Sequence, residues 1–296
     1  MYDIIIVGAG PAGMTAALYA KRANKNILIL EANACGGQIL KASVVENYPA
    51  LPKVTGFDFA NNLYNQIKEL GCEVKYETVV RITKDKKVIT NKGDYQAKAI
   101  ILATGSFNRR LNIEQEQDYV GKGLSYCATC DGNFFKDKVV AVVGGGNMAL
   151  EDTLYLSNIA KKVYLIHRRD TFKAEEKLVD DTKAKDNVEI IYNSTVAKLN
   201  GAERIESIIV KDDKDNERIL DIEGLFIAVG QEPKNEIFAD IIKLNQFGYI
   251  ESEDGVHTNC EGIYVAGDCR VKLLRQLTTA VSDGSIAATV AMKEMR

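Results

Sequence analysis

The sequence predicts an α/β protein laid out twice over. An apolar strand, a glycine-rich turn, a helix and a second apolar strand occur in that order from Tyr2 and again from Val139. Each copy then runs through alternating apolar residues broken by polar turns. Each closes on a similar triplet, Ala103-Thr104-Gly105 in the first and Ala228-Val229-Gly230 in the second. Parallel strands joined by helices, with a small antiparallel layer added, are what this pattern builds.

In the first copy, the run Tyr2 to Val7 is the opening strand, followed by Gly8-Ala9-Gly10-Pro11-Ala12-Gly13. A helical pattern continues to about Arg22, and Ile27 to Leu30 forms the second strand, ending at Glu31. In the second copy, Val139 to Val143 precedes Gly144-Gly145-Gly146-Asn147-Met148-Ala149. Its helix extends to about Ile159, and Val163 to Ile166 leads to His167. The alternating stretches are Val79 to Ile101 and Ile190 to Ile227, with hairpin tips expected at Asn91 to Asp94 and Lys211 to Asn216. The last segment, Lys243 to Arg296, carries Tyr264-Val265-Ala266-Gly267-Asp268-Cys269 and a helix from about Leu277. It is too short to fold alone, so it is expected to return to the first domain. The expected boundaries are residues 1–112 and 243–296 for a discontinuous first domain and 113–242 for the second, with crossings in Asn112 to Gln117 and Gln231 to Lys243.

A chain of 296 residues has material for two such domains. Its formal net charge of −3 and scattered basic residues argue against nucleic acid as a partner. No apolar run is long enough to span a bilayer. The first strand is entered without a basic leader, so no secretory signal is expected. The six cysteines include only one close pair, which excludes a secreted-type disulfide framework and suits a reducing cytoplasm.

The first turn has the full dinucleotide fingerprint of a Rossmann-like domain. Gly8 makes the tight turn, Gly10 admits a pyrophosphate, and Gly13 lets helix pack on strand. Glu31 lies where an acid accepts hydrogen bonds from a ribose hydroxyl, and its charge repels a 2′-phosphate; FAD or NAD suits this site. In the second copy His167 occupies the place of Glu31, and Arg168 and Arg169 follow directly. Two guanidinium groups in place of an acid are what a 2′-phosphate requires, so this site is expected to take NADPH, with Lys173 adding charge. A surface basic cluster is the alternative. His167 reads as a spacer or an adenine-ribose contact rather than an acid catalyst.

Between the fingerprints lies Cys127-Ala128-Thr129-Cys130-Asp131. A CxxC pair can form a disulfide. A zinc site would need a second ligand pair, which the sequence lacks, so no metal is expected. Two buried structural thiols remain possible but leave Asp131 unexplained, whereas thiol–disulfide exchange needs a proton donor and acceptor at that place. With two nucleotide sites to supply electrons, the pair reads as the redox centre of a nucleotide-dependent flavoprotein. A redox sensor without turnover is the reading from another class.

With these motifs the chain resembles the low-molecular-weight thioredoxin reductases over essentially its whole length. The resemblance rests on GAGPAG, GGQI (Gly36 to Ile39), ENYP (Glu46 to Pro49), SYCATCDG (Ser125 to Gly132), GGGNMALED, HRRDTF (His167 to Phe172), GQEP, YVAGDC and RQLTTAVSDG (Arg275 to Gly284). It implies FAD in the first domain, NADPH in the second, thioredoxin or a thioredoxin-like protein as partner, and a homodimer. By that pattern Gln38, Asn47, Ala103, Thr104, Gly105, Gly267, Asp268, Arg275, Gln276 and Leu277 join the first glycine turn in holding FAD, while Asn147, Met148 and Ala149 belong to the NADPH turn. Cys130 would face the flavin and Cys127 would attack the partner disulfide. Because dithiol and nicotinamide share one domain, the resemblance also implies a rotation that brings each in turn to the flavin. Four departures stand out. Lys173 replaces an arginine, Met148 a smaller residue and Ala50 a glycine, and Asn112 to Gln115 replaces a Pro-Gly-Glu sequence.

Overall fold

The computed structural model describes residues 1–42, 44–51, 53–252 and 255–295. The chain forms two compact units, Met1–Phe107 with Glu232–Arg296, and Asn108–Gln231.

The first unit opens with β1 (Tyr2–Val7), whose Ile4, Ile5 and Ile6 are wholly buried. A continuous apolar run of this kind is the mark of a parallel strand covered on both faces. α1 (Pro11–Arg22) starts on Pro11, whose fixed φ suits the first helical position, and ends on Lys21 and Arg22 beside its negative pole. β2 (Ile27–Glu31), α2 (Gly56–Glu69) and β3 (Glu73–Tyr76) follow, and the Thr55 side chain caps α2 by accepting the Asp58 N–H. β4 (Val79–Ile82), β5 (Lys87–Thr90) and β6 (Asp94–Leu102) make the antiparallel layer, turning β5 into β6 at the expected tip. The sheet order is β3-β2-β1-β6-β5-β4.

The chain crosses through β7 (Phe107–Asn108) into the second unit. There β8 (Leu124–Ser125) leads into α3 (Ala128–Asp131). β9 (Val139–Gly144), α4 (Asn147–Ser157), β10 (Lys162–Ile166), α5 (Glu176–Lys183) and β11 (Val188–Ile191) follow. β12 (Ser194–Asn200), β13 (Ser207–Asp212) and β14 (Glu217–Asp221) form their own antiparallel sheet. β15 (Gly224–Ala228) completes the parallel sheet, in the order β11-β10-β9-β15-β8. The returning chain passes β16 (Gln231–Glu232) and adds β17 (Ile263–Val265) to the first sheet and α6 (Leu277–Glu294) to its face. β6 is long enough to serve two neighbours on one side, antiparallel to β5 at Asp94–Gln96 and parallel to β17 at Ile100–Leu102.

The unit boundaries fall at 107/108 and 231/232, against the expected 112/113 and 242/243. Burial explains the difference. Leu111 packs on the second unit's core, whereas Phe238 and Ile242 are buried in the first unit's core beside Ile100 and Val265. The polar composition of both stretches hid these few apolar anchors. α6 lies on α1 through a small-residue stripe, and a Cβ at Gly284 would stand 2.1 Å from the Ala12 carbonyl oxygen. Among the described residues no helix is long and apolar enough to cross a membrane.

Candidate functional site

In the first unit the glycine turn follows β1. Gly8 has φ +107°, and a Cβ there would lie 2.4 Å from the Ala103 carbonyl oxygen. A Cβ on Gly13 would meet the Gly8 carbonyl oxygen at 1.9 Å, so turn and helix approach as the fingerprint requires. Nothing lies within 4 Å of a Cβ at Gly10, which leaves its backbone open to a phosphate. The Glu31 carboxylate accepts the Ala9 N–H at 2.7 Å and the Asn33 N–H at 2.8 Å, which ties the end of β2 to the turn. Gly36 donates to the Ala9 carbonyl, which brings the segment carrying Gln38 onto the same turn. From the returning segment, a Cβ on Gly267 would meet the Ala12 Cβ at 2.8 Å, which sets Gly267-Asp268 against the start of α1. Asn47 donates to Gln276 Oε1 at 3.1 Å, linking two residues far apart in sequence. Arg275 reaches the Asp268 carbonyl oxygen and stacks its guanidinium 4.0 Å from the Tyr249 ring centre.

One observation tests whether this cradle fits a flavin dinucleotide. Asp268 Oδ1 is buried with no hydrogen-bond partner, and burial pushes its pKa up. An orphaned buried carboxylate oxygen calls for a hydroxyl donor, which the ribityl chain of FAD supplies. The donor set fits that group.

Two organisers of this site are absent from the sequence reading. Asn235, wholly buried, accepts from the Thr104 hydroxyl and donates to the Gly248 and Cys269 carbonyls. Asp283 on α6 accepts from Gly267 N, from Arg270 in a two-pronged pair and from Lys272 Nζ at 2.8 Å. A lone polar residue in an apolar stripe was the signal for Asp283; Asn235 follows a loop proline and gives none.

The second unit repeats the turn. A Cβ on Gly144 would lie 2.4 Å from the Ala228 carbonyl oxygen, as one on Gly8 would from that of Ala103. The likeness stops at the end of the second strand. The buried His167 ring stacks on Phe172, and its Nε2 lies 2.9 Å from the Thr171 carbonyl oxygen, an acceptor, so that nitrogen carries the proton. A Cβ at Gly145 would fall 2.0 Å from that ring. His167 thus packs over the turn and closes the loop bearing Arg168 and Arg169. Lys173 N donates to the Gly145 carbonyl at 2.7 Å, so the loop folds back on the glycines. Arg168, Arg169 and Lys173 are exposed, and none forms an ion pair among the described residues. Three uncommitted cations beside a dinucleotide turn fit a 2′-phosphate. Asn147 exchanges two hydrogen bonds with Glu175, Met148 packs on the core and Ala149 is wholly buried beneath the turn.

Cys127 and Cys130 form a disulfide across α3, with Cα atoms 5.3 Å apart. Gly132 allows the turn to sit close on α4, since a Cβ there would meet Tyr155 at 2.7 Å. Asp131 accepts the Ser125 hydroxyl at 2.6 Å. Burial raises its pKa and the Ser125 bond partly opposes this, leaving it above the ordinary carboxyl value. Upstream, the buried Glu116 accepts the Leu111, Asn112 and Ile113 N–H groups and the Tyr126 hydroxyl.

Residues 2–284 match the family described as pyridine nucleotide-disulphide oxidoreductase. A thioredoxin reductase of Mycoplasma genitalium is 42% identical over 293 residues, 97% of this chain and 93% of that protein. One of Treponema pallidum is 42% identical over 296 residues, 98% of this chain and 96% of that protein. The crystal structure of thioredoxin reductase from Streptococcus pyogenes superposes with a TM-score of 0.95 at 39% identity, covering 100% of this chain and 98% of that one.

Proposed function

The chain belongs to the pyridine nucleotide-disulphide oxidoreductase family, and on that premise we propose that it is the NADPH-dependent reductase of a thioredoxin. The observation that carries this reading is the Cys127–Cys130 disulfide with Asp131 beside it, in the same unit as a dinucleotide turn flanked by Arg168, Arg169 and Lys173. The overall exchange is balanced: NADPH, one proton and a partner disulfide give NADP⁺ and a partner dithiol.

Gly8, Gly10, Pro11, Ala12, Gly13, Glu31, Gln38, Asn47, Ala103, Thr104, Gly105, Gly267, Asp268, Arg275, Gln276 and Leu277 would hold FAD. When bound, FAD supplies the relay of two electrons between nicotinamide and disulfide. Gly144, Gly146, Asn147, Met148 and Ala149 would hold the pyrophosphate of NADPH and Arg168, Arg169 and Lys173 its 2′-phosphate, with His167 fixing the loop.

The remaining chemistry belongs to the chain's own side chains. In the reduced dithiol, Cys127 gives its proton to Asp131 and its sulfur bonds to one partner sulfur as the partner disulfide breaks. The departing partner thiolate takes the proton back from Asp131. Cys130 then attacks Cys127, which reforms the intramolecular disulfide and releases the second partner thiol with the Cys130 proton. A carboxyl raised by burial holds a proton near neutral pH better than an ordinary one, which suits it to both directions of transfer.

The dithiol and the second nucleotide turn share one unit while the FAD residues lie in the other, which supports a rotation between half-reactions. A crosslink that locks the units should leave one half-reaction intact and stop turnover; undiminished turnover refutes the rotation. Likeness to the reductase family supports a homodimer, which sedimentation would check, and the cysteine usage supports a reducing cytoplasm.

Anaerobic titration of the FAD-loaded protein with NADPH and with NADH, followed by thioredoxin, tests the whole reading. Flavin bleaching by NADPH and turnover with thioredoxin are expected. A reducible flavin that neither nucleotide bleaches would overturn the electron source. Cys130→Ser should trap thioredoxin on Cys127; absence of that mixed disulfide would reverse the assignment of the two sulfurs.

A further inference from the structure

Ser125 has no part in the exchange just described, yet it joins both ends of the redox turn. It is the last residue of β8, 4% exposed, and is held in register opposite Phe226 of β15. Its Oγ accepts the Cys127 N–H at 3.0 Å and donates to Asp131 Oδ2 at 2.6 Å. The competing acceptor, the Cys127 carbonyl oxygen, is farther away at 3.3 Å. A hydroxyl has one proton, and a carboxylate at the shorter distance is the stronger acceptor. The bond accepted from Cys127 turns the lone pairs toward the backbone and the proton toward Asp131. One side chain thus ties the backbone of the first cysteine to the acid that follows the second.

We propose that Ser125 is a positioning residue that fastens Asp131 to the Cys127 backbone, so that the acid keeps its place as the Cys127–Cys130 bond opens and closes. This rests on the reading of Asp131 as proton donor and acceptor. Ser125 is rooted in the sheet, outside the disulfide ring, and so its hold does not depend on the sulfur–sulfur bond. The hydroxyl also favours the ionised acid, the form that accepts the Cys127 proton.

The surroundings of Asp131 make this bond decisive. Burial and Ser125 are the two causes of its shift. α4, which packs on α3, carries Glu151, Asp152 and Tyr155, and none of them contributes; the 3-10 turn Gly132–Phe135 has no titratable side chain. Once reduced, Cys127 and Cys130 are the other titrating groups on the turn. Asp152 itself is pushed up to about 7 by burial and by Glu151, so it titrates in the same range and needs its own control.

The experiment compares the FAD-loaded parent with Ser125→Ala, Ser125→Thr, Asp131→Asn and the Ser125→Ala/Asp131→Asn double variant. Thioredoxin reduction is followed against pH, with flavin bleaching by NADPH and thermal unfolding measured on each variant. Ser125→Ala should move the acid limb of kcat/KM for thioredoxin upward by about one pH unit, the size expected from losing one bond to a charged acceptor. It should leave bleaching by NADPH unchanged, and the same shift should appear in an Asp152→Asn background. Ser125→Thr, which keeps the hydroxyl, should retain the parental limb. The double variant should be no slower than Asp131→Asn alone. A parental limb in a folded Ser125→Ala protein, or a further loss in the double variant, overturns the role of Ser125 while leaving Asp131 in place. If Asp131→Asn itself has parental rate and pH dependence, the reading of Asp131 falls and this inference with it.

Discussion

Ala50 occupies φ 66°, the left-handed region that a glycine enters without cost. Its strain is the local consequence of the departure noted at this position, where the resemblance has glycine. Ala50→Gly should stabilise the protein by roughly 0.5–1 kcal/mol, after allowing for glycine's greater freedom when unfolded; an unchanged urea midpoint would remove this explanation. Asn112 and Gln115, in the stretch that replaces Pro-Gly-Glu, also have positive φ, 60° and 63°. Gly145 is the converse case, required for lack of space rather than for φ. Gly145→Ala should displace the His167 ring and the loop it closes. Overpacking costs about 1–3 kcal/mol, so affinity for NADPH should fall by about fivefold to a hundredfold while FAD content stays full. Equal affinity by direct titration would mean that the loop can move without consequence.

At the scale of elements, α6 does more than cover the first sheet. Its Asp283 is the counter-charge for two cations on the loop after β17, and the Lys272 side chain is only 6% exposed. Asp283→Asn would remove the carboxylate that hydrogen-bonds Arg270 and Lys272, at a cost of about 3 kcal/mol. The same change should loosen Gly267-Asp268, so FAD should dissociate more readily from the variant on dilution. Burial raises the Asp283 pKa, but Arg270 and Lys272 more than offset this and hold it below the ordinary value. A carboxyl lowered in the folded state adds stability above its unfolded value of about 3.9, and that stability is lost as pH falls through the folded value. Asp283→Asn should therefore flatten the loss of stability on the acid side; an unchanged acid slope would show that the cluster does not matter to folding. Asp131 and Asp268, raised by burial, bear on stability with the opposite sign.

For the whole molecule, the second unit is one continuous segment with apolar clusters of its own on both faces of its sheet. A fragment of residues 108–231 should therefore fold cooperatively, form the Cys127–Cys130 disulfide and bind NADPH without FAD. The first unit, assembled from two distant segments, needs both. β17 supplies a strand beside β6 and α6 a helix beside α1, so a truncation before β17 should yield insoluble protein. A fragment 108–231 that stays unfolded by circular dichroism would show that the units are not independent.

The duplicated plan, both fingerprints, the reversal of charge from Glu31 to His167-Arg168-Arg169 and the redox pair were all legible in the sequence. Each is a local pattern, in which residue type and spacing along one strand, turn or helix carry the physics. The unit boundaries were not legible, because Leu111, Phe238 and Ile242 are short apolar anchors inside polar stretches, and only packing decides which core takes them. Nor were Asn235 and Glu116, or the partners of Asp283, because the groups they bind lie on other elements or on backbone that the folded chain would otherwise bury unpaired. Sequence by itself determined the motifs on which the proposed chemistry rests. Tertiary structure decided how they are held, because a hydrogen bond between residues distant in the chain exists only after the chain has folded to bring them together.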